Sequence, residues 1–181
     1  MLVIHPKDRT TDVLKMLYEG LDAQVIVDNC SRAKIDHLLK HASTRERVML
    51  LGHGLDKGLY FREDGVEEFK NVIVGHPNSY MLRRHDGNII GIWCHANLFA
   101  QAEGLHGLFS GMMISEVSEA EDYGIAATHE EILASNKVMF GKLRRLLDEK
   151  VLLHKIPEMM KALDEEHTPL SEFNYGNFHY M

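Results

Sequence analysis

Short apolar runs that do not alternate with polar residues constrain this chain more than any other feature. Residues 2–5 (Leu-Val-Ile-His), 24–27 (Gln-Val-Ile-Val), 47–51 (Arg-Val-Met-Leu-Leu) and 89–93 (Ile-Ile-Gly-Ile-Trp) are each of strand length and apolar nearly throughout. A strand buried on both faces reads this way, and such strands belong to parallel sheets with helices on either side. Helical patterns do fall between them. Thr10 or Thr11 can cap a helix carrying Val13, Leu14, Leu17 and Tyr18, ending at Gly20. Ser31 opens a second helix with Ile35, Leu38 and Leu39, residues 79–84 a brief one, and residues 96–105 an apolar one. Thr128-His129-Glu130-Glu131 is a capping box at the head of the longest helix, which runs to about Lys150. Its apolar stripe is Ile132, Leu133, Val138, Met139, Leu143, Leu146 and Leu147.

The remaining segments are read more coarsely. Asp56-Lys57-Gly58 and Glu63-Asp64-Gly65 are turn signals around Leu59-Tyr60-Phe61, which predicts a small hairpin off the main sheet. Residues 72–74 form a short strand or lead into the Pro77 turn. Residues 112–114 supply the next main strand, Pro157 starts a last helix to about Glu166, and the aromatic tail forms an edge strand. No linker or repeat divides the chain. The expectation is one α/β domain over residues 1–181, with three layers (α/β/α) and a mostly parallel sheet.

Composition narrows the function classes. With 181 residues and 45% hydrophobic content the chain can bury a core without disulfides or metal. The two cysteines, Cys30 and Cys94, form no disulfide framework and fit a reducing, cytoplasmic setting. The leading residues turn polar too soon for a signal-peptide core, and no run approaches a membrane span. A net charge of −7 argues against a nucleic-acid partner, because the basic residues form no patch. The twelve histidines raise the question of metal. His37 and His41 are four apart on a helix but lack the following Glu of a zinc motif. No metal and no cofactor are expected. Phosphate-cradling glycine motifs are also absent from the sequence.

In a parallel sheet the C-terminal strand ends share one edge, and ligands bind there. That edge collects His5, Asp8 and Arg9; Asp28 and Asn29; His53 and Gly54; Cys94 and His95; and Ser115 and Glu116. Two of these positions stand out. Val48 to Leu51 ends in Gly52-His53-Gly54, and Ile89 to Trp93 ends in Cys94, about 40 positions later. A histidine and a cysteine on neighbouring strand ends are the arrangement for thiol nucleophilic catalysis, with imidazole as proton acceptor and donor. The backbone N–H groups of Gly54 and Cys94 can supply an oxyanion hole. By strand alternation, His95 is expected to face the opposite side of the sheet.

An apolar strand ending in His-Gly, followed by an apolar strand ending in Cys, resembles the caspase-like cysteine peptidases: caspases, legumain, clostripain, gingipain and separase. The spacing is near the roughly 50 residues between the two in caspases. The resemblance covers residues 2–116. It implies a caspase-like fold, His53 and Cys94 as the catalytic dyad, Gly54 in the oxyanion hole, and a peptide or protein substrate. A homodimer stays open. Family members carry a small residue before the cysteine and a glycine shortly after, where this chain has Trp93 and His95-Ala96-Asn97. The acidic run after the next strand, with Glu116 and Glu119, lies where the family builds its specificity pocket and would select a basic residue. Arg9 resembles the arginine with which caspases select aspartate, but the position of its partner glutamine is Ile92 here. Two alternatives stand beside the peptidase: a catalytically inactive interaction domain of the same fold, and a small-molecule thiol hydrolase or transferase.

Overall fold

The computed structural model describes residues 1–62 and 68–181, so the Glu63-Asp64-Gly65 turn lies outside the described residues. Along the chain come β1 (Leu2–Ile4), a 3-10 helix (Arg9–Leu17), β2 (Gln24–Ile26), α1 (Arg32–His41) and β3 (Val48–Leu51). The strands β4 (His53–Leu55), β5 (Gly58–Arg62) and β6 (Phe69–Gly75) follow, then α2 (Ser79–Leu82), β7 (Ile89–Ile92), α3 (Ala96–Glu103) and β8 (Gly107–Ser110). The chain closes with α4 (Val117–Asp122), α5 (His129–Asp148), α6 (Ile156–Ala162), α7 (Pro169–Gly176) and β9 (Phe178–Tyr180).

Six strands form the main sheet in the order β2-β1-β3-β7-β8-β9, and β4-β5-β6 form a separate antiparallel sheet. The first five strands of the main sheet are parallel, and β9 runs antiparallel to β8. Alternation along each strand divides the core. Val3, Met49, Leu51, Ile90, Ile92 and Leu108 face one side, against Leu14 and Leu17 of the 3-10 helix and Met139, Phe140, Leu143 and Leu146 of α5. Leu2, Ile4, Val48, Leu50, Ile89 and Phe109 face the other, against Ile35 and Leu39 of α1 and Phe99 and Ala100 of α3. Both faces of β1, β3, β7 and β8 are therefore covered, as runs that are apolar throughout require. The edge strand β2 is not buried as its run predicted, with Val25 and Val27 36% and 38% exposed. No described helix is long and apolar enough to cross a membrane.

Four local expectations are corrected. The first helix is capped by Asp8, which accepts from the Thr10 amide at 2.9 Å, rather than by Thr10 or Thr11, and it winds as a 3-10 helix. The strand beside β7 is Gly107–Ser110, not 112–114. Residues 112–114 are apolar enough for a strand, but Ile114 is held by side chains instead. Its amide donates to Asn174 at 2.8 Å, and its carbonyl accepts from Asn136 and Asn174. On α5, Leu133 and Val138 face outward, at 51% and 45% exposure. Finally, α6 stops at Ala162 and a further helix, α7, begins at Pro169 with Thr168 as its cap, leaving only Phe178–Tyr180 of the tail as edge strand.

Candidate active site

Two chain reversals at the C-terminal edge of the sheet set the site. β3 ends at Leu51 and turns at Gly52, whose φ of +139° suits glycine, so that His53 leaves the sheet at the head of β4. β7 ends at Ile92, and Trp93 and Cys94 turn the chain into α3. The Gly52 amide donates to the Ile92 carbonyl at 3.0 Å, tying the two reversals together. His53, Gly54 and Cys94 consequently line one open pocket of about 580 Å³. His95 lines it too, with φ at +68°. Alternation had placed this residue on the far face, but the strand ends three residues before it.

His53 is held by a polar web drawn from distant segments. Its Nε2 lies 2.7 Å from the Thr10 hydroxyl and 3.5 Å from an Asp8 carboxylate oxygen. Thr10 Oγ1 donates to Asp8 at 2.7 Å and accepts from Arg62 at 2.8 Å. Arg62 Nε also donates to Asp8 at 2.8 Å, and its guanidinium reaches Glu116 at 3.3 Å. Burial works to raise the Asp8 carboxyl, but the hydrogen bonds from Arg62 and Thr10 overcome it and hold the group at about 2. Asp8 is therefore an acceptor only, and Thr10 has one proton, which it gives to Asp8. His53 Nε2 must then carry a proton and donate to Thr10, leaving Nδ1 as the basic nitrogen. Nδ1 has no hydrogen-bond partner among the described residues. Burial, and then the Arg62 charge, push the His53 pKa down, against the pull of Asp8 and Glu116, so the imidazole rests neutral.

Cys94 is held by fewer groups. Its Sγ lies 3.6 Å from the Met113 carbonyl and 3.9 Å from Glu119 Oε1. Burial, followed by the Glu119 charge, pushes the thiol up to about 12. The other Glu119 oxygen accepts from the Ser115 amide at 2.7 Å, the Ser115 hydroxyl at 3.0 Å and the Glu116 amide at 3.1 Å. Those three donors aim Oε1 at the sulfur.

Trp93 is not among the residues that line the Cys94 pocket. It is 2% exposed, packs on Phe99, and sends its indole N–H to the Leu55 carbonyl at 3.1 Å. A Cβ on Gly54 would come within 2.1 Å of the Trp93 ring and 2.4 Å of the Gly58 carbonyl. Gly54 thus has a packing reason to be glycine: the indole clamps β4, and with it His53, to the end of β7.

The remaining expected residues divide between two places. Glu119 lines the Cys94 pocket, whereas Arg9 and Glu116 line a neighbouring, smaller cavity of about 180 Å³ with apolar walls from Leu14, Ile92 and Met113. His5 stays out of the pocket, bonded to the Tyr18 hydroxyl at 3.0 Å and Thr11 at 3.2 Å, and burial lowers it to about 4. Asn29 bonds to Asn71 on β6, and Cys30 sits in the core. Among the described residues no group of three or more His, Cys, Asp or Glu is placed to hold a metal ion. Sequence reasoning placed Asp8 at the edge without a role and missed Thr10 and Arg62 as partners of His53. The nearness of Asp8 and Thr10 to the end of β1 was a usable signal, whereas nothing local announces Arg62. Comparison with protein-family models and with curated proteins finds no match to this chain.

Proposed function

We propose that this chain is a cysteine-type hydrolase acting on peptide bonds, a single caspase-like α/β/α domain in a reducing, cytoplasmic setting. The observation that carries the reading is the shared pocket: Cys94 and a tautomerically fixed His53 line it together at the C-terminal sheet edge. In the reaction Sγ attacks the scissile carbonyl carbon as its proton passes to His53 Nδ1. The carbonyl oxygen takes the negative charge, with the Cys94 and Gly54 amides as its donors. The C–N bond then breaks, Nδ1–H protonates the leaving amine, and water hydrolyses the thioester by the same route. With the thiol raised and the imidazole lowered, the resting pair is neutral, so proton transfer accompanies attack instead of preceding it.

Substrate preference follows the pocket lining. Glu119 and Asp122 contribute carboxylates, Phe69 and Tyr123 contribute aromatic side chains, and no Lys or Arg is among the described residues that line it. A cationic side chain, Arg or Lys, fits such a wall. Glu116 is engaged by Arg62 and contributes less. The test is labelling by an acyloxymethyl-ketone probe bearing a basic residue, together with turnover of basic peptides. Cys94→Ala should abolish both, and His53→Ala should lower turnover by about 10²–10⁴-fold. Equal labelling of Cys94→Ala and wild type would remove the dyad. The high thiol pKa favours a second reading, a non-catalytic interaction domain of the same fold, and complete absence of labelling at Cys94 would select it.

A further inference from the structure

The nucleophile of the proposed hydrolase is turned toward a carboxylate, which is the wrong partner for making a thiolate. An acceptor beside the sulfur favours S–H over S⁻. Glu119 is not there by chance of rotamer. Three donors fix its Oε2, which leaves Oε1, among the described residues, no other partner than the Cys94 sulfur 3.9 Å away. Glu119 also lines the open pocket, together with Asp122, Phe69 and Tyr123. One side chain therefore meets both the Cys94 sulfur and the space that a substrate would fill.

We infer that Glu119 is a lock: it holds the Cys94 thiol protonated in the empty site, and a substrate cation that pairs with Oε1 releases it. The inference rests on the hydrolase reading and deepens it, because the group that recognises the basic side chain also governs when the sulfur becomes reactive. Neutralising Oε1 removes the repulsion that the thiolate would feel, so recognition lowers the cost of forming the nucleophile. A peptide lacking the cation would bind without unlocking the sulfur. Other titratable groups face Cys94 across the same pocket: His53 from β4, His95 at the head of α3, and Asp122 and Tyr123 from α4 and its end. Glu116 adds its charge from farther off. Of these, Glu119 alone is within hydrogen-bonding reach of Sγ.

The experiment is alkylation of Cys94 by iodoacetamide as a function of pH, read by mass spectrometry of the Cys94 peptide. In this reaction the thiolate forms a C–S bond and iodide leaves, so the rate midpoint reports the thiol pKa. Glu119→Gln keeps an oxygen for the Ser115 and Glu116 amides and removes the charge. Its midpoint should fall by about one pH unit or more, roughly a 10-fold faster reaction near neutrality. Arginine amide, used as the cation, should lower the wild-type midpoint and leave that of Glu119→Gln unmoved. An unmoved midpoint in the variant, in wild type with arginine amide, or an equal shift in both proteins with the amide, overturns the lock. If the variant does not fold, the arginine amide titration of wild type decides alone. Failure of the hydrolase reading is seen separately: His53→Ala would leave peptide turnover intact, whatever the alkylation midpoints show.

Discussion

The two halves of the pocket are held in opposite ways. On the histidine side, four side chains from three stretches of chain (Asp8, Thr10, Arg62 and Glu116) form a closed web whose proton directions are fixed, and His53 is held through Nε2, its Nδ1 without a hydrogen-bond partner among the described residues. On the cysteine side, the sulfur meets one backbone carbonyl and one carboxylate, and burial first, then the Glu119 charge, disfavour its charged form. In the proposed hydrolase the base is ready and the nucleophile is restrained. If the proposed lock holds, a site of this kind can be assembled permanently and still react only on demand, because the charge that a bound cation would neutralise belongs to a single residue, Glu119.

Trp93 joins the two halves, and removing it should have the largest effect. Its ring fills the space over Gly54, and its N–H holds Leu55, so β4 and the end of β7 move as one piece. Trp93→Ala should cost about 3–5 kcal/mol of stability in denaturant unfolding. Trp93→Phe keeps a ring but loses the hydrogen bond, at about 1 kcal/mol. If Trp93→Phe left the fold intact and yet lowered turnover about as much as His53→Ala, the clamp would be placing the dyad as well as filling the core. If Trp93→Ala proved as stable as wild type, the two halves would not be coupled through the indole.

Asp8→Asn attacks the histidine side alone. It removes the charge facing Arg62 while keeping an acceptor for Thr10, and should cost about 2 kcal/mol, the range for a hydrogen bond to a charged group. The sign with pH is fixed by the direction of the shift. The folded Asp8 pKa of about 2 lies below the unfolded value of 3.8, so its contribution is present above about pH 4 and is lost as pH falls through about 2. The variant should lack that part of the acid limb in urea titrations. An acid limb identical to wild type would mean that Arg62 holds Asp8 less firmly than the geometry implies.

These contrasts also show which parts of the molecule were legible in the sequence. Strands β1, β3 and β7 were legible because parallel strands buried on both faces cannot tolerate polar residues, but which strands pair, β3 with β7 among them, is not written in that pattern. His53 and Cys94 could be brought to one edge by the same logic, since parallel strands share a direction. The capping box at Thr128 was legible because its two hydrogen bonds are purely local. What failed was non-local. Residues 112–114 have a strand's composition but take their hydrogen bonds from Asn136 and Asn174, which lie on helices far along the chain. Arg62 reaches His53's partners only because the β4-β5 hairpin folds back over the sheet edge, and no spacing in the sequence encodes that reach. Gly54 was read for its exposed amide. Its packing requirement depends on Trp93, a residue almost 40 positions away.

Thr10→Val separates orientation from charge. The valine is nearly isosteric and leaves Asp8 paired with Arg62, but His53 Nε2 loses its acceptor and the two tautomers become closer in energy. Turnover should drop about 10-fold, less than the 10²–10⁴ expected from losing the base itself, with little change in KM. Thr10→Ser should restore it. The alkylation midpoint of Cys94 should stay where it is, because Thr10 touches only the histidine side. A midpoint that moved with Thr10→Val would mean that the web reaches the sulfur, and the two halves would no longer be independent.

Ser115→Ala should have the smallest effect and is the most discriminating control on the cysteine side. Ser115 gives Glu119 Oε2 a hydroxyl at 3.0 Å, beside its own amide at 2.7 Å and the Glu116 amide at 3.1 Å. Deleting the hydroxyl leaves both backbone donors, so Oε1 should keep its aim at Sγ and its charge. Stability should change by no more than about 1 kcal/mol, and the alkylation midpoint should stay within a few tenths of a pH unit of wild type. Glu119→Gln, by contrast, deletes the charge and keeps the loop. If Ser115→Ala moved the midpoint as far as Glu119→Gln, the position of the loop would be setting the thiol, not the carboxylate charge. A midpoint that responds to Glu119→Gln and ignores Ser115→Ala assigns the restraint to the Glu119 carboxylate charge, whose Oε1 lies 3.9 Å from the sulfur.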